Sequence, residues 1–336
     1  MLQSVSFVSP TTGWVLGESP CSARRCFALF KTVDGGVRWS TATAPPFSAS
    51  PAFAELGFAT IRFADGDDGW AWDYNEEVGG SGYQLFVTHD GGTVWVPSSL
   101  GPPGRWGIVA LGAASGHVWV VTFGSTASDN YSIFGSPVHE DAWTPSPLTL
   151  ELGAGGAPGL QIILASDLGW IVDTDRGTLA GASLSNEGWA AWTPPCKQRG
   201  YGDAELAVIS TNLLVAYCPA NLFFTDAPPP ALYVSTDGGK SFEHVTGTLP
   251  SSVTGLAASP SGALFCYDPR GMAASFDGGA TWQTVLDLAA YDETPPPSAG
   301  IAFVTQAVGY ATTLSGQLFK TVDGGHHWQT VSLPSD

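Results

Sequence analysis

The sequence predicts an all-β repeat fold of seven four-stranded units, and three observations predict it. An eight-residue motif, Ser/Thr-x-Asp-Gly-Gly-x-x-aromatic, occurs five times and closes on Trp39, Trp95, Phe242, Trp282 and Trp328. Two altered copies, Ser136–Trp143 and Ser185–Trp192, fill the long gap, so that consecutive closing aromatics are 40 to 56 residues apart. Between the motifs lie short β-branched and aromatic runs bounded by Gly, Pro, Asp and Ser. A near-constant period of this length indicates a repeat architecture.

Each unit is predicted to contain strands A, B and C, then the motif as a turn, then strand D. In the first unit these are Ser4–Ser9, Gly13–Gly17, Phe27–Thr32 and Trp39–Thr43. A Gly-aromatic pair opens strand B in several units, as in Gly13-Trp14 and Gly309-Tyr310, and sets the phase of the repeat. The predicted unit limits are 1–46, 47–103, 104–147, 148–195, 196–250, 251–288 and 289–336. No segment longer than about ten residues has a helical period, so almost no helix is expected.

The acidic residue of the motif is predicted to have a structural role. A glycine pair tolerates the positive φ of a hairpin turn, and the preceding carboxylate can accept hydrogen bonds from the backbone of its own turn. The closing aromatic would bury its ring, and a Trp would keep its N–H for a carbonyl. One carboxylate per turn falls short of the six to eight oxygens of a calcium site, so no metal is expected. The structural Asp residues are Asp34, Asp90, Asp237, Asp277 and Asp323.

These turns resemble the Asp-box, or bacterial neuraminidase repeat, and the resemblance covers essentially the whole chain. Asp-box families are β-propellers, so it implies a single seven-bladed β-propeller of four-stranded antiparallel blades. The family includes sialidases, xyloglucanase-type hydrolases, sortilin-type receptors, and photosystem II assembly/stability factors with their bacterial relatives. The runs Thr12–Gly17 and Val308–Gly325 look most like the assembly-factor group, which acts by binding other proteins. The resemblance therefore implies binding without catalysis.

The charge and hydropathy of the chain disfavour some classes of binding partner. The chain has 12 Lys and Arg against 30 Asp and Glu, a net charge of −18, which argues against nucleic acid or an anionic membrane surface. No apolar run is long enough to span a membrane, so direct insertion is not expected. No signal peptide is visible and Met1 stands immediately before a strand, so we expect the sequence to begin at the mature domain, with its signal or anchor removed. A monomer without a cofactor is expected.

The cysteines predict an oxidising compartment. Cys21 and Cys26 bracket one short loop, and Cys196 and Cys218 flank one predicted strand, so each pair could form a disulfide. Cys266 is left over, and no pair has the CxxC spacing of a zinc site. The alternative is five reduced thiols acting as small core residues in a cytosolic protein. The favoured location is extracellular or periplasmic.

Candidate functional residues lie on the loops that join strands B to C and strands D to A. Asp73, Asp173 and Asp268 each close strand B of an even-numbered unit, and Asp175 follows nearby. A pair of these carboxylates could perform glycosidic acid/base catalysis, although Asp is also a common turn-capping residue. Aromatic and basic residues suited to binding a protein or glycan lie on the same two sets of loops: Tyr74, Trp106, Arg176, Arg199, Tyr201, Arg270 and Tyr291.

Specific enzyme signatures are weak. Sialidase resemblance would imply an early Arg-Ile-Pro run, whereas the nearest sequence here is Ile61-Arg62-Phe63. Xyloglucanase-type enzymes of this group contain two propellers, and the chain has the length of one. His326 and His327 are adjacent but lack ligand partners in the sequence, and no Gly-x-Ser-x-Gly elbow occurs. The sequence favours a non-catalytic binding scaffold for a protein or glycan. The alternative is a sialidase-like or xyloglucanase-like glycoside hydrolase, or a lyase.

Overall fold

The computed structural model confirms the predicted fold class, a seven-bladed β-propeller whose blades are four-stranded antiparallel sheets. It describes residues 2–19, 26–47, 59–74, 83–100, 106–124, 130–151, 160–173, 181–185, 188–196, 204–220, 228–250, 253–268, 270–291, 300–313 and 315–334. Within these residues every sheet is built from four strands that follow one another in the chain. The chain divides into two compact units, residues 1–154 with 332–336 and residues 155–331.

The first unit contains blades 1 to 3. Their strands are β1 Leu2–Phe7, β2 Gly13–Ser19, β3 Cys26–Thr32 and β4 Ser40–Ala42; β5 Ala59–Phe63, β6 Asp68–Tyr74, β7 Tyr83–His89 and β8 Val96–Pro97; β9 Trp106–Ala114, β10 His117–Gly124, β11 Asn130–Pro137 and β12 Thr144–Glu151. The last of these extends past the expected blade limit at 147.

The second unit contains blades 4 to 7. Their strands are β13 Leu160–Ala165, β14 Leu168–Asp173, β15 Gly181–Ser185 and β16 Gly188–Trp192; β17 Glu205–Val208, β18 Leu214–Cys218, β19 Ala231–Ser235 and β20 Glu243–Val245; β21 Thr254–Ala258, β22 Leu264–Asp268, β23 Gly271–Ser275 and β24 Gln283–Asp287; β25 Ile301–Phe303, β26 Gly309–Thr312, β27 Leu318–Thr321 and β28 Gln329–Val331. A 3-10 helix, η1 Leu288–Tyr291, follows blade 6. No helix among the described residues has the length and apolar character needed to cross a membrane.

The Gly-aromatic pairs have a packing role. Gly13 pairs with Phe7 across β1 and β2, and a Cβ on Gly13 would lie 2.2 Å from the Phe7 ring. Gly69 and Phe63 repeat this arrangement in blade 2, with a closest approach of 2.5 Å. The neighbouring Trp14 is fully buried and stacks on Phe63 of the next blade with ring centroids 3.7 Å apart. Glycine is therefore required where strand A places an aromatic ring directly over strand B.

Blade 4 departs from the expected turn. The sequence analysis predicted that Ser185–Trp192 is an altered copy of the motif, and strand D of the first unit begins at the closing Trp of its motif. In the structure Ser185 pairs directly with Gly188, and Gly188–Trp192 is itself strand β16. Trp192 pairs with Gly181 at the far end of this hairpin. With the glycine pair lost, a shorter hairpin replaces the turn and strand D starts earlier.

Among the residues that the structure describes, one predicted disulfide is present and one cysteine is free. Cys196 and Cys218 are bonded, with Cα atoms 5.3 Å apart, and both are buried. Cys26 is also disulfide-bonded, whereas Cys21 lies outside the described residues. Cys266 is free and buried, as the count of five predicted. These bonds are consistent with an oxidising compartment.

Candidate functional site

The five intact turns share one hydrogen-bond pattern, and it occupies the Asp carboxylate. In blade 7 the Thr321 hydroxyl donates to Asp323 Oδ1 at 2.8 Å and accepts from Gly325 N at 2.9 Å. His327 N donates to the same Oδ1 at 3.0 Å. The two turn glycines, Gly324 and Gly325, have φ of 76° and 93°. The carboxylate thus holds its own turn together, in the way that the residue types predict.

These hydrogen bonds favour the ionised carboxylate. The Thr281 hydroxyl bonded to Asp277 lowers its pKa to about 2, and the Ser241 hydroxyl does the same for Asp237. A backbone N–H from Arg38 likewise lowers the pKa of Asp34. A general acid in a glycosidase needs a raised pKa, so these turn carboxylates have the opposite electrostatic character.

The opposite end of each sheet, where strand B joins strand C and strand D leads to the next blade, is called the loop end here. In blade 6 Asp268 closes β22, and its Oδ1 accepts from Arg270 N at 2.8 Å and Gly271 N at 3.0 Å. Asp268 therefore caps the hairpin between β22 and β23, which is the structural alternative weighed from the sequence.

The loop end of blade 6 brings two predicted ligand-binding residues into neighbouring segments. Leu288 at the start of η1 donates its N–H to the Arg270 carbonyl at 3.1 Å. Tyr291 ends this short helix, and its ring packs edge-on against the buried Phe319 of blade 7 with centroids 5.2 Å apart. Tyr291 remains 41 % exposed and Arg270 is also exposed. A cationic and an aromatic side chain are thus presented from segments that hydrogen bonds and ring packing hold in place.

The other predicted site residues are only partly described. Asp73 is buried in β6, paired with Ala59 on one side and Gln84 on the other. Tyr74, Trp106 and Asp173 lie at strand ends, and their side chains are outside the described part of the structure. Four predicted residues fall outside the described residues: Asp175, Arg176, Arg199 and Tyr201. The hypothesis that a pair of these carboxylates performs catalysis stays a prediction.

A cluster that the sequence analysis did not predict lies at the other end of the sheets of blades 2 and 3. This end, where strand A joins strand B and strand C joins strand D, is called the turn end here. The Asp68 side chain accepts from His89 Nδ1 on one carboxylate oxygen and from His139 Nδ1 on the other, the second at 2.5 Å. Asp65 is adjacent, and one potential ligand atom from each of Asp65, Asp68 and His139 lies within 4.8 Å of the others. These three residues could hold a metal ion. The available signal was that Asp68 and His139, like the adjacent His89, differ from the residues at their positions in the other blades.

Comparisons with known proteins support the fold. No family model matches the chain, and no curated protein matches it in sequence. The structure titled "YCF48 bound to D1 peptide" is similar over 96 % of this chain and 93 % of its own, with a TM-score of 0.62 and 17 % identity. YCF48 from Cyanidioschyzon merolae matches over 95 % and 94 %, with a TM-score of 0.61 and 14 % identity. The β-propeller domain of the Trilobed protease from Pyrococcus furiosus, described as having an open velcro topology, matches over 100 % and 98 %, with a TM-score of 0.58 and 9 % identity.

Proposed function

We propose that this protein is a non-catalytic scaffold that binds a polypeptide segment of a partner protein at the loop end of its blades. The observation that carries the proposal lies in blade 6, where Arg270 and Tyr291 are both exposed. Their segments are joined by the hydrogen bond from Leu288 N to the Arg270 carbonyl, while Asp268 caps its own hairpin. A guanidinium donates several hydrogen bonds, and a Tyr ring offers an apolar face with a polar tip. Such groups bind peptides without performing chemistry.

The comparison with YCF48 supports the same class of ligand. That protein is a propeller bound to a peptide, and the similarity extends over nearly all of both chains. At 17 % identity the likeness concerns the fold, and the binding role passes to this chain only as part of the proposal. The Asp-box resemblance to assembly-factor proteins points the same way. A glycan ligand is the alternative, and it predicts that the experiment below selects no peptide.

The cellular location is part of the proposal. The buried Cys196–Cys218 disulfide and the bonded Cys26 support an exported protein, because such bonds persist in oxidising compartments. The partner is then an exported protein or the exposed segment of a membrane protein. The net charge of −18 disfavours a nucleic acid. We propose that the protein works as a monomer.

The test is selection of a displayed random-peptide library on the immobilised protein, followed by fluorescence anisotropy with the selected peptides. Arg270→Ala and Tyr291→Ala should each weaken binding by about tenfold or more, as expected for contact residues of this type. Val322→Ala is the matched control, because Val322 is 64 % exposed at the turn end of blade 7. It should bind like the unmodified protein.

Three results would count against the proposed scaffold. The first is that no peptide is selected above the level of a heat-denatured sample, and the second is that Arg270→Ala and Tyr291→Ala both bind the peptides unchanged. The third is that the protein releases reducing sugar from a polysaccharide panel and that Asp268→Asn does not. That substitution keeps an oxygen for the hairpin hydrogen bonds, so loss of hydrolysis would assign catalysis to the carboxylate.

A further inference from the structure

The Asp68 carboxylate is buried between two imidazole rings. Asp68 opens β6 and is 2 % exposed, with an imidazole Nδ1 on each carboxylate oxygen. His89 ends β7 opposite it, and His139 belongs to the turn of the neighbouring blade. Burying a carboxylate costs free energy unless other groups compensate its charge. The two imidazoles supply hydrogen bonds, and they supply charge only when protonated.

A second carboxylate increases the need for compensation. Asp65 Oδ1 accepts from Asp67 N at 2.9 Å and Asp68 N at 2.8 Å, which fixes its carboxylate beside the cluster. Lys31 approaches this turn, but its ammonium bonds to the Gly66 carbonyl at 3.3 Å and lies 4.8 Å from the centre of the Trp14 ring. Two carboxylates and two imidazoles therefore lie together, while the ammonium of Lys31 bonds to a backbone carbonyl.

Asp68, His89 and His139 differ from the residues at the equivalent positions of other blades. The position before the strand-B glycine is Asp68 in blade 2, whereas Thr12, Leu168 and Val308 occupy it elsewhere. The position of His89 is filled in the other intact turns by Val33, Thr236, Phe276 and Val322. His139 stands in the altered turn of blade 3, where an intact turn has a glycine. Three independent departures from the repeat converge on one point, although a turn needs none of them for its own hydrogen bonds.

The donor set matches a divalent transition metal. Imidazole nitrogen and carboxylate oxygen are the ligands that zinc and its neighbours take, and three protein ligands leave a fourth position for water or a partner group. Zinc–ligand distances of about 2.0–2.2 Å place two ligand atoms on one ion about 3.4 Å apart. The ligand atoms of Asp65, Asp68 and His139, within 4.8 Å of one another, need small adjustments to reach this spacing.

We propose that Asp65, Asp68 and His139 bind one divalent transition-metal ion, zinc being the first to test, at the turn end between blades 2 and 3. His139 would move from Asp68 by about 1 Å to admit the ion, which its 77 % exposed side chain permits. His89 stays on the other oxygen of Asp68 and orients that ligand, as hydrogen-bonded partners of metal ligands do. The sequence analysis expected no metal because it considered each turn by itself, and the proposal departs from that expectation.

The experiment is isothermal titration of chelator-treated full-length protein with Zn²⁺, with Co²⁺ absorption as a second readout. One equivalent should bind, and the cobalt form should show the visible bands of a low-coordinate site. His139→Ala should remove a ligand and weaken zinc binding by at least about 100-fold. His89→Ala should weaken it by about 10–100-fold, the range for a residue that orients a ligand.

His327→Ala is the matched control, because His327 Nδ1 also bonds a turn carboxylate, Asp323, at 2.6 Å and is exposed. Its zinc binding should equal that of the unmodified protein. His139 is exposed, so its replacement tests the site even if Asp68→Asn fails to fold. The proposal is overturned if no zinc binds with a stoichiometry of one, or if His139→Ala and Asp65→Asn retain the unmodified affinity. The cluster would then be a hydrogen-bonded link between two blades.

Discussion

Replacing the second turn glycine of blade 7 tests why the motif needs a glycine pair. Gly325 has φ of 93°, and a Cβ there would lie 2.3 Å from two ring atoms of Phe265. Phe265 is fully buried between blades 6 and 7, against Phe303 and Trp328, so its ring has no free space to enter. Gly325→Ala therefore combines backbone strain with a steric overlap.

The loss of unfolding free energy distinguishes backbone strain from steric overlap. An alanine in the left-handed region costs about 1–2 kcal/mol, and forcing a methyl group into a packed core costs about 1–3 kcal/mol more. We expect Gly325→Ala to lower the free energy of unfolding by about 2–5 kcal/mol. Gly278→Ala is the matched control, since Gly278 has φ of 75° and open space around the added Cβ. It should lose only the backbone portion, about 1–2 kcal/mol.

Urea unfolding followed by Trp fluorescence measures both losses, with an unchanged slope showing that the change lies in stability. The double variant Gly325→Ala/Phe265→Leu should cost less than the sum of its single variants, because a smaller side chain relieves the overlap. Equal losses in the two glycine variants, or strict additivity in the double variant, would refute the steric part of the reasoning and leave backbone conformation alone as the requirement.

Three further predictions concern the turns and the disulfide. Thr281→Val should raise the pKa of Asp277 from about 2 toward 3.8, because it removes the hydroxyl that donates to the carboxylate at 2.5 Å. NMR titration of the carboxyl groups should detect this shift, and the pKa of Asp237 should stay unchanged as the internal reference. The pKa of Asp277 is lower in the folded protein than in the unfolded chain. Its contribution to stability is therefore complete above pH 3.8 and disappears as the pH falls through about 2. If Asp277→Asn unfolds in acid at the same pH as the unmodified protein, this reasoning is contradicted. Replacing Cys196 and Cys218 by Ala should cost about 3 kcal/mol, as expected for closing a loop of 22 residues, and equal urea midpoints for the protein and the variant would contradict it.

Most of the fold could be predicted from the sequence because its determinants are local. A turn such as Thr321–Trp328 contains its own hydrogen-bond donors, acceptor and positive-φ glycines, so its conformation depends on few distant residues. Strand order within a blade follows from successive hairpins. The prediction failed at Ser185–Trp192, where the glycine pair is absent and pairing of Ser185 with Gly188 determined the hairpin instead.

The candidate site was predictable only in part, since it depends on which segments meet. The sequence singled out Asp268 as a potential catalytic residue, but only the hairpin geometry revealed that its carboxylate caps the turn at Arg270 and Gly271. Arg270 and Tyr291 were named for their chemistry, and the hydrogen bond from Leu288 determined that their segments are neighbours.

By itself the sequence determined the all-β class, the number of blades and the structural role of the turn Asp residues. Each of these follows from short-range chemistry repeated at a regular spacing. Only the tertiary structure decided that Asp68, His89 and His139 meet, because His139 is 71 residues from Asp68 in the chain. Packing between neighbouring blades, which no single repeat encodes, brings those side chains to one point and makes a metal site possible there.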